Sequence, residues 1–252
     1  MKHMRIIPRL DIKGSHVIKG IHMEGLRKVG DPAEMSIRYY KQGADELIYI
    51  DVVASLYGRN YAIEVIEKVS NDLFIPLTIG GGVRNVDDIR ALLNAGADKV
   101  AANSGFITNP AFIEIAAKKF GSQCIVGMVE AKRMNGGWEA LYENGRERSG
   151  RDAVKWAIEL TSRGVGELLV TSVDQEGTCQ GFDLELIAEI STGVKVPVIA
   201  SGGTGCFQDV EEVIEIGKAD AVAVAHLFHY NKTTPDQLKV HLVKSFEMKG
   251  WE

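Results

Sequence analysis

Short runs of Ile, Val, Leu and Ala recur along the chain, separated by longer stretches whose apolar residues fall at helical spacing. That alternation predicts a parallel sheet covered by helices. Eight such runs stand near residues 5–11, 46–52, 75–79, 99–102, 124–130, 167–172, 196–200 and 221–225. Helix punctuation falls between them. Asp31 before Pro32 opens one helix and Gly43 stops it, Asn85 and Gly96 bracket a second, and Asn109-Pro110 and Gly121 bracket a third. Every strand is expected to run into a helix except the fifth. There "RMNGGWEALYENGRER" reads as a two-stranded hairpin around Asn135, Gly136 and Gly137, with the next helix beginning near Gly150.

The chain also repeats itself. "PLTIGGGVRNVDDIRALLNAGADKVA" from Pro76 lies on "PVIASGGTGCFQDVEEVIEIGKADAVA" from Pro197, an offset of 197 − 76 = 121 residues, and "GADELIYID" from Gly43 lies on "GVGELLVTS" from Gly164 at 164 − 43 = 121. The segments that end in Asp11 and Glu130 match at 130 − 11 = 119. With 252 residues, this predicts one α/β domain over 1–252, a closed (β/α)8 TIM barrel made of half-barrels near 1–122 and 123–252. An open doubly wound sheet is the competitor, but it predicts one Gly-rich crossover rather than a spaced pair.

A formal net charge of −5 gives no electrostatic case for nucleic acid or an anionic membrane surface, so a small-molecule partner is expected. No apolar run reaches the length of a membrane span, and a strand pattern starts within a few residues of Met1, which reads as cytoplasmic. Cys124, Cys179 and Cys206 are far apart, without the spacing of a disulfide framework or a zinc site. The histidines, among them His16, His22, His226 and His229, are scattered, so neither a metal nor an organic cofactor is expected.

Two glycine clusters, "IGGGV" with Gly81 and Gly82 and "SGGTG" with Gly202 and Gly203, each follow a strand and precede a helix. Such a turn lets backbone N–H groups approach an anion at a helix N-terminus. Placed at equivalent points of the two halves, they predict phosphate sites on opposite sides of the barrel mouth, with Lys19, Ser104, Thr171 and His226 as added donors. Between them Asp11 and Glu130 end strands in equivalent positions and are candidates for paired acid and base work. The bland reading gives them a base partner such as Lys13, Lys132 or Arg133, and Asp51 and Asp174 also end strands. At the other end, Arg5, Glu46, Lys99 and Glu167 each open a strand, two cations and two anions able to form a neutral ring.

In order and spacing, "RIIPRLDIKG", "GDP", "TIGGGVRN", "GADKVAAN", "FGSQCIV", "TSVDQEGT" and "ASGGTG" resemble the HisF family, the cyclase subunit of imidazole glycerol phosphate synthase. The resemblance implies a glutaminase partner of HisH type at the N-terminal face and an ammonia gate formed by Arg5, Glu46, Lys99 and Glu167. It also implies catalysis by Asp11 and the residue at 130, with substrate and phosphate contacts at Lys19, Gly81, Gly82, Asn103, Ser104, Thr171, Glu176, Gly177, Gly202, Gly203 and His226.

The mouth departs from the family pattern. Glu130 and Glu176 stand in place of aspartates, Arg9 in place of a cysteine and His226 in place of a serine, and Arg9 is placed to pair with Asp11. With "ASLYGRN" after the second strand, these residues resemble a HisF-like branch associated with amidation of sugars for surface polysaccharides. The favoured expectation is therefore conversion of an acetamido to an acetamidino group on a nucleotide sugar, with a third, ATP-using amidotransferase as a further partner. The alternatives are the orthodox cyclase and lyase of histidine biosynthesis, or a subunit that only conducts ammonia.

Overall fold

The structure, a computed structural model, describes residues 4–54, 62–69 and 72–249. Most of "ASLYGRN" therefore lies outside the described residues. Eight parallel strands close a barrel: β1 (Arg5–Lys13), β4 (Leu47–Asp51), β5 (Leu77–Gly80), β6 (Lys99–Ala102), β7 (Ile125–Met134), β10 (Glu167–Ser172), β11 (Val198–Ser201) and β12 (Ala221–Val224). The ring is sealed by β10 against β7 and by β1 against β12. In this order β1 stands opposite β7 and β5 opposite β11, so the two carboxylates and the two glycine turns each face one another across the mouth. The expected barrel is the observed fold, with two strands matching at both limits and the others differing by at most four residues.

Period-two alternation decides which residues enter the lumen. On β1, Ile6, Leu10 and Ile12 join the core between barrel and helices, while Ile7 joins Ile48, Ala101, Val126, Met128, Leu169, Ile199 and Ala221 in a separate inner cluster. The parity that sends Ile7 inward also sends Arg5, Arg9 and Asp11 inward. Outside the barrel the helices bury their apolar faces: Met35 and Tyr39 on α1 (Pro32–Lys41), Ile89 and Leu92 on α3 (Val86–Ala95), and Trp156 and Leu160 on α6 (Ala153–Ser162). Helix α2 (Ala62–Val69) precedes β5, and α5 (Ala111–Phe120) precedes β7. In the second half α7 (Leu184–Gly193), α8 (Phe207–Glu215) and the closing α10 (Pro235–Met248) complete the outer ring. Asp31 caps α1 as expected, accepting from the N–H groups of Ala33 and Glu34 at 2.9 and 3.0 Å.

Four local expectations need correction. The first strand runs into an antiparallel meander, β2 (His16–Ile21) and β3 (Glu24–Gly30), before any helix forms. The excursion after β7 likewise has two added strands, β8 (Gly137–Tyr142) and β9 (Glu147–Asp152), rather than one hairpin. Gly150 lies inside β9, and the helix starts at Ala153 because the Asp152 carboxylate accepts from Lys155 N–H at 2.8 Å. Asn109 caps nothing with its side chain; a short unforeseen helix, α4 (Ser104–Thr108), precedes it, and Pro110 occupies the N-cap of α5. A second short helix, α9 (His226–His229), follows β12.

Candidate functional site

At the N-terminal end of the lumen the four charged side chains form a closed ring. Arg5 Nη1 donates to Glu46 Oε2 at 3.0 Å and Nη2 pairs with Glu167; Lys99 Nζ reaches Glu46 at 3.0 Å and Glu167 at 2.8 Å. Thr78, on the intervening β5, adds a hydrogen bond to Glu46. Each cation touches both carboxylates, and Glu46 is only 1% exposed, which excludes a solvated rim. Above the ring the lumen is apolar, lined by the inner cluster.

At the other end the mouth carries two clefts. The first, about 490 Å³, is lined by Asp51, Gly81, Gly82, Arg84, Asn103, Ser104, Gly105 and Glu130 among others. The second, about 310 Å³, is lined by Arg9, Lys19, Glu176, Gly177, Gly202, Gly203, Thr204 and His226 together with Ser201, Ala223 and Ala225. The glycines are required by the fold as well as by any ligand. A side chain at Gly81 would run into the Asp51 carbonyl and one at Gly203 into the Gly181 carbonyl, both at positive φ.

The expected anion cradle needs revision. The long helices after the glycine turns cap themselves: Asn85 accepts from Asp87 and Asp88 N–H, Asp88 accepts from Arg84 and Asn85 N–H, and Asp209 accepts from Gly205 and Cys206 N–H. Those donors are spent. The short helices are different, because neither Asn103 before α4 nor Ala225 before α9 makes a side-chain cap bond, and Ser104–Gly105 and Ala225–His226 open onto the two clefts. A short extra helix is a recurrent phosphate-binding device at this face of the barrel. Sequence reasoning missed both, although Ser104 and His226 were named; their offset, 226 − 104 = 122, is within one residue of that of the halves.

Between the clefts stand the two carboxylates. Asp11 is paired with Arg9, whose Nε lies 2.9 Å from Oδ1. That pairing is the one expected of Arg9; Arg133, named as another base partner, instead bonds Asp183 and Glu185 and covers the Trp138 ring. Asp51 and Asp174 have local tasks, accepting from Val53 and Arg133 N–H respectively. Thr171, expected at a phosphate, is buried under Arg9, whose Nη1 donates to its hydroxyl at 2.8 Å.

Glu130 is 4% exposed, and burial is the main cause that pushes its carboxyl up to about 7. The Asp11 charge pushes the same way, while Arg9, the Gly145 N–H at 2.8 Å and the Asn103 amide favour the ionised form. A carboxyl poised there can give and take a proton at neutral pH. The turn between β8 and β9 holds it in place: Glu143 N–H donates to Ser104 Oγ, and Asn103 Nδ2 donates to Leu141 O, both at 3.0 Å.

The other meander covers the second cleft in the same way. Lys19 on β2 pairs with Glu176, and His22 N–H donates to Glu176 O at 2.7 Å. Burial, aided by the Arg9 charge, lowers the Lys19 ammonium to about 8, leaving it mostly charged at pH 7. Burial, aided by the Lys232 and Lys19 charges, lowers the His226 imidazole below its ordinary value. Among the described residues no group of His, Cys, Asp and Glu is arranged to hold a metal ion, and no helix is long and apolar enough to cross a membrane.

Residues 5–234 match the model of a family described as histidine biosynthesis protein. The imidazole glycerol phosphate synthase subunit HisF of Legionella pneumophila is 55% identical over 210 residues, covering 83% of this chain and 99% of that relative. A match of that extent takes in the ring, both glycine turns and both carboxylate strands, and with it the chain belongs to the HisF family of histidine biosynthesis proteins.

Proposed function

We propose that this chain is the cyclase subunit of an imidazole glycerol phosphate synthase, fed with ammonia by a glutaminase subunit of HisH type. Of the two reactions weighed from the sequence, the name of the Legionella relative favours this one over sugar amidation. The observation that carries it is the pair Asp11 and Glu130, opposed across a mouth with an anion-suited cleft on either side. Ammonia enters past the ring of Arg5, Glu46, Lys99 and Glu167. The apolar lumen then favours NH3 over the ammonium ion, because an unpaired charge there would lose its hydration.

At the mouth the ligand is a substrate with two phosphates, one held at Gly81, Gly82, Asn103 and Ser104, the other at Lys19, Gly177, Gly202, Gly203 and His226. Ammonia attacks the carbonyl carbon of its ribulose-type end, and the carbonyl oxygen leaves as water. Glu130, protonated in part at neutral pH, supplies a proton as the adduct closes and splits, and Asp11 accepts one. The products are imidazole glycerol phosphate and an aminoimidazole carboxamide ribotide.

The test is turnover of that bisphosphate by the purified chain with ammonium salt at alkaline pH, so that no glutaminase is needed. Formation of both products is expected; their absence contradicts the reading. Amidation of a sugar remains the second reading, favoured by Arg9, which fills the mouth beside Asp11. It predicts no turnover by the native chain and recovery in Arg9→Cys combined with Glu130→Asp.

A further inference from the structure

Arg9 is 3% exposed and carries its charge into the top of the lumen. Nε donates to Asp11, and Nη1 donates to Thr171 Oγ1 at 2.8 Å and Ser201 Oγ at 3.1 Å. Three strands thus hold the guanidinium in one orientation. A guanidinium has five N–H donors, and the two on Nη2 have no hydrogen-bond partner among the described residues. Nη2 is not among the buried side-chain atoms left without a partner, so it keeps access to solvent, and a ligand oxygen can take the place of water on it. Arg9 is also a wall of the second cleft, beside Lys19, Gly202, Gly203 and His226. Thr171 and Ser201 are neutral, so Asp11 is the carboxylate that pairs with Arg9, with the Glu130 carboxyl close enough to feel its charge; Lys19 is offset by Glu176. Two ion pairs, Arg9 with Asp11 and Lys19 with Glu176, stand at the cleft, and Nη2 is the Arg9 donor left to take an anion.

We propose that Arg9 is a ligand-binding residue, its Nη2 taking an oxygen of a phosphate group lodged in the second cleft while its Nε holds Asp11. This deepens the reading of that cleft as an anion site and rests on it. The arrangement ties the anchored end of the ligand to one of the two carboxylates through a single rigid side chain. A planar fork does this where a lysine cannot, because a point charge on a flexible stem reaches the anion or Asp11 but not both in fixed geometry. Arg9 thereby selects ligands that place an anionic group within one side chain of the reacting centre.

The experiment titrates inorganic phosphate into the intact chain at pH 7.5 by calorimetry. In parallel it follows the side-chain nitrogen resonance of Arg9, assigned by its loss in Arg9→Lys. Phosphate is expected to move that resonance. Arg9→Met is expected to weaken the second-cleft site by about 10- to 100-fold, the loss of one charge-assisted hydrogen bond, with Arg9→Lys between. Ser104→Ala serves as the reference for the first cleft. An Arg9 resonance that phosphate does not move, or phosphate lost only in Ser104→Ala and bound normally by Arg9→Met, overturns the proposal. If Arg9→Met does not fold, the resonance of the native chain decides alone. Failure of bisphosphate turnover with phosphate still moving Arg9 removes the proposed reaction and leaves this assignment standing.

Discussion

Replacing Glu130 by Gln is expected to lower kcat for the ammonium-driven reaction by about 10²- to 10⁴-fold, the usual worth of a positioned acid–base group. Gln keeps the shape and the acceptor for Gly145 N–H but cannot release a proton. The same variant should gain stability, which separates lost chemistry from a damaged fold. In the native chain the Glu130 carboxyl sits at about 7 against 4.5 unfolded. Between these values the folded state holds a proton that the unfolded state has released, so stability falls as pH rises through that window. The loss is on the order of 3 kcal/mol once pH passes 7. Glu130→Gln has no such loss, and denaturant melts at pH 5 and pH 8 should show its advantage only at the higher pH. Equal turnover in variant and native chain would remove Glu130 from the chemistry.

Glu46→Gln should be the most damaging change at the opposite end. Glu46 binds Arg5, Lys99 and Thr78 and is nearly inaccessible, so its neutralisation leaves two cations sharing Glu167. Removing one partner of a buried ion pair costs about 3–5 kcal/mol. Arg5 and Lys99 keep some contact with water, which places the expected loss near the lower end, about 3 kcal/mol, or a fall in Tm of roughly 6–12 °C for a chain of this size. Restoring neutrality with Lys99→Met in the same molecule should return part of that loss, a coupling that a double-mutant cycle measures directly. A loss below about 1 kcal/mol with no coupling would mean a ring of weak surface pairs.

The features that strand periodicity controls were legible before the structure. On β1 the period of two puts Arg5, Ile7, Arg9 and Asp11 on one face, so the ring residue, the lumen and the Arg9–Asp11 pair follow from parity. The 121-residue repeat carries the opposition of the glycine turns. The first meander was not seen because "EGLRKVG" is largely exposed and is held by pairing to β2 rather than by an apolar face. The repeat contained it nonetheless, since β2 begins at His16 and β8 at Gly137, and 137 − 16 = 121.

The short helices α4 and α9 escaped for another reason. Four or five residues show no helical period, and neither helix has a side-chain cap to mark its start. The self-capping of α3 and α8 depends on Asp88 and Asp209, a pattern present in the sequence but read as an open anion cradle. The bonds from Arg9 to Thr171 and Ser201 join residues 162 and 192 positions apart, and only the closed barrel brings them together.

The account rests most heavily on a buried carboxyl at the mouth that is poised to exchange a proton at neutral pH. The direct measurement is the titration of the Glu130 carboxyl by carbon NMR in chain labelled at glutamate, its signal identified by difference from Glu130→Gln. A midpoint near 7 is predicted, shifting upward in Arg9→Met as the nearby cation is removed. A midpoint in the ordinary carboxylate range, unmoved by Arg9→Met, would contradict the account.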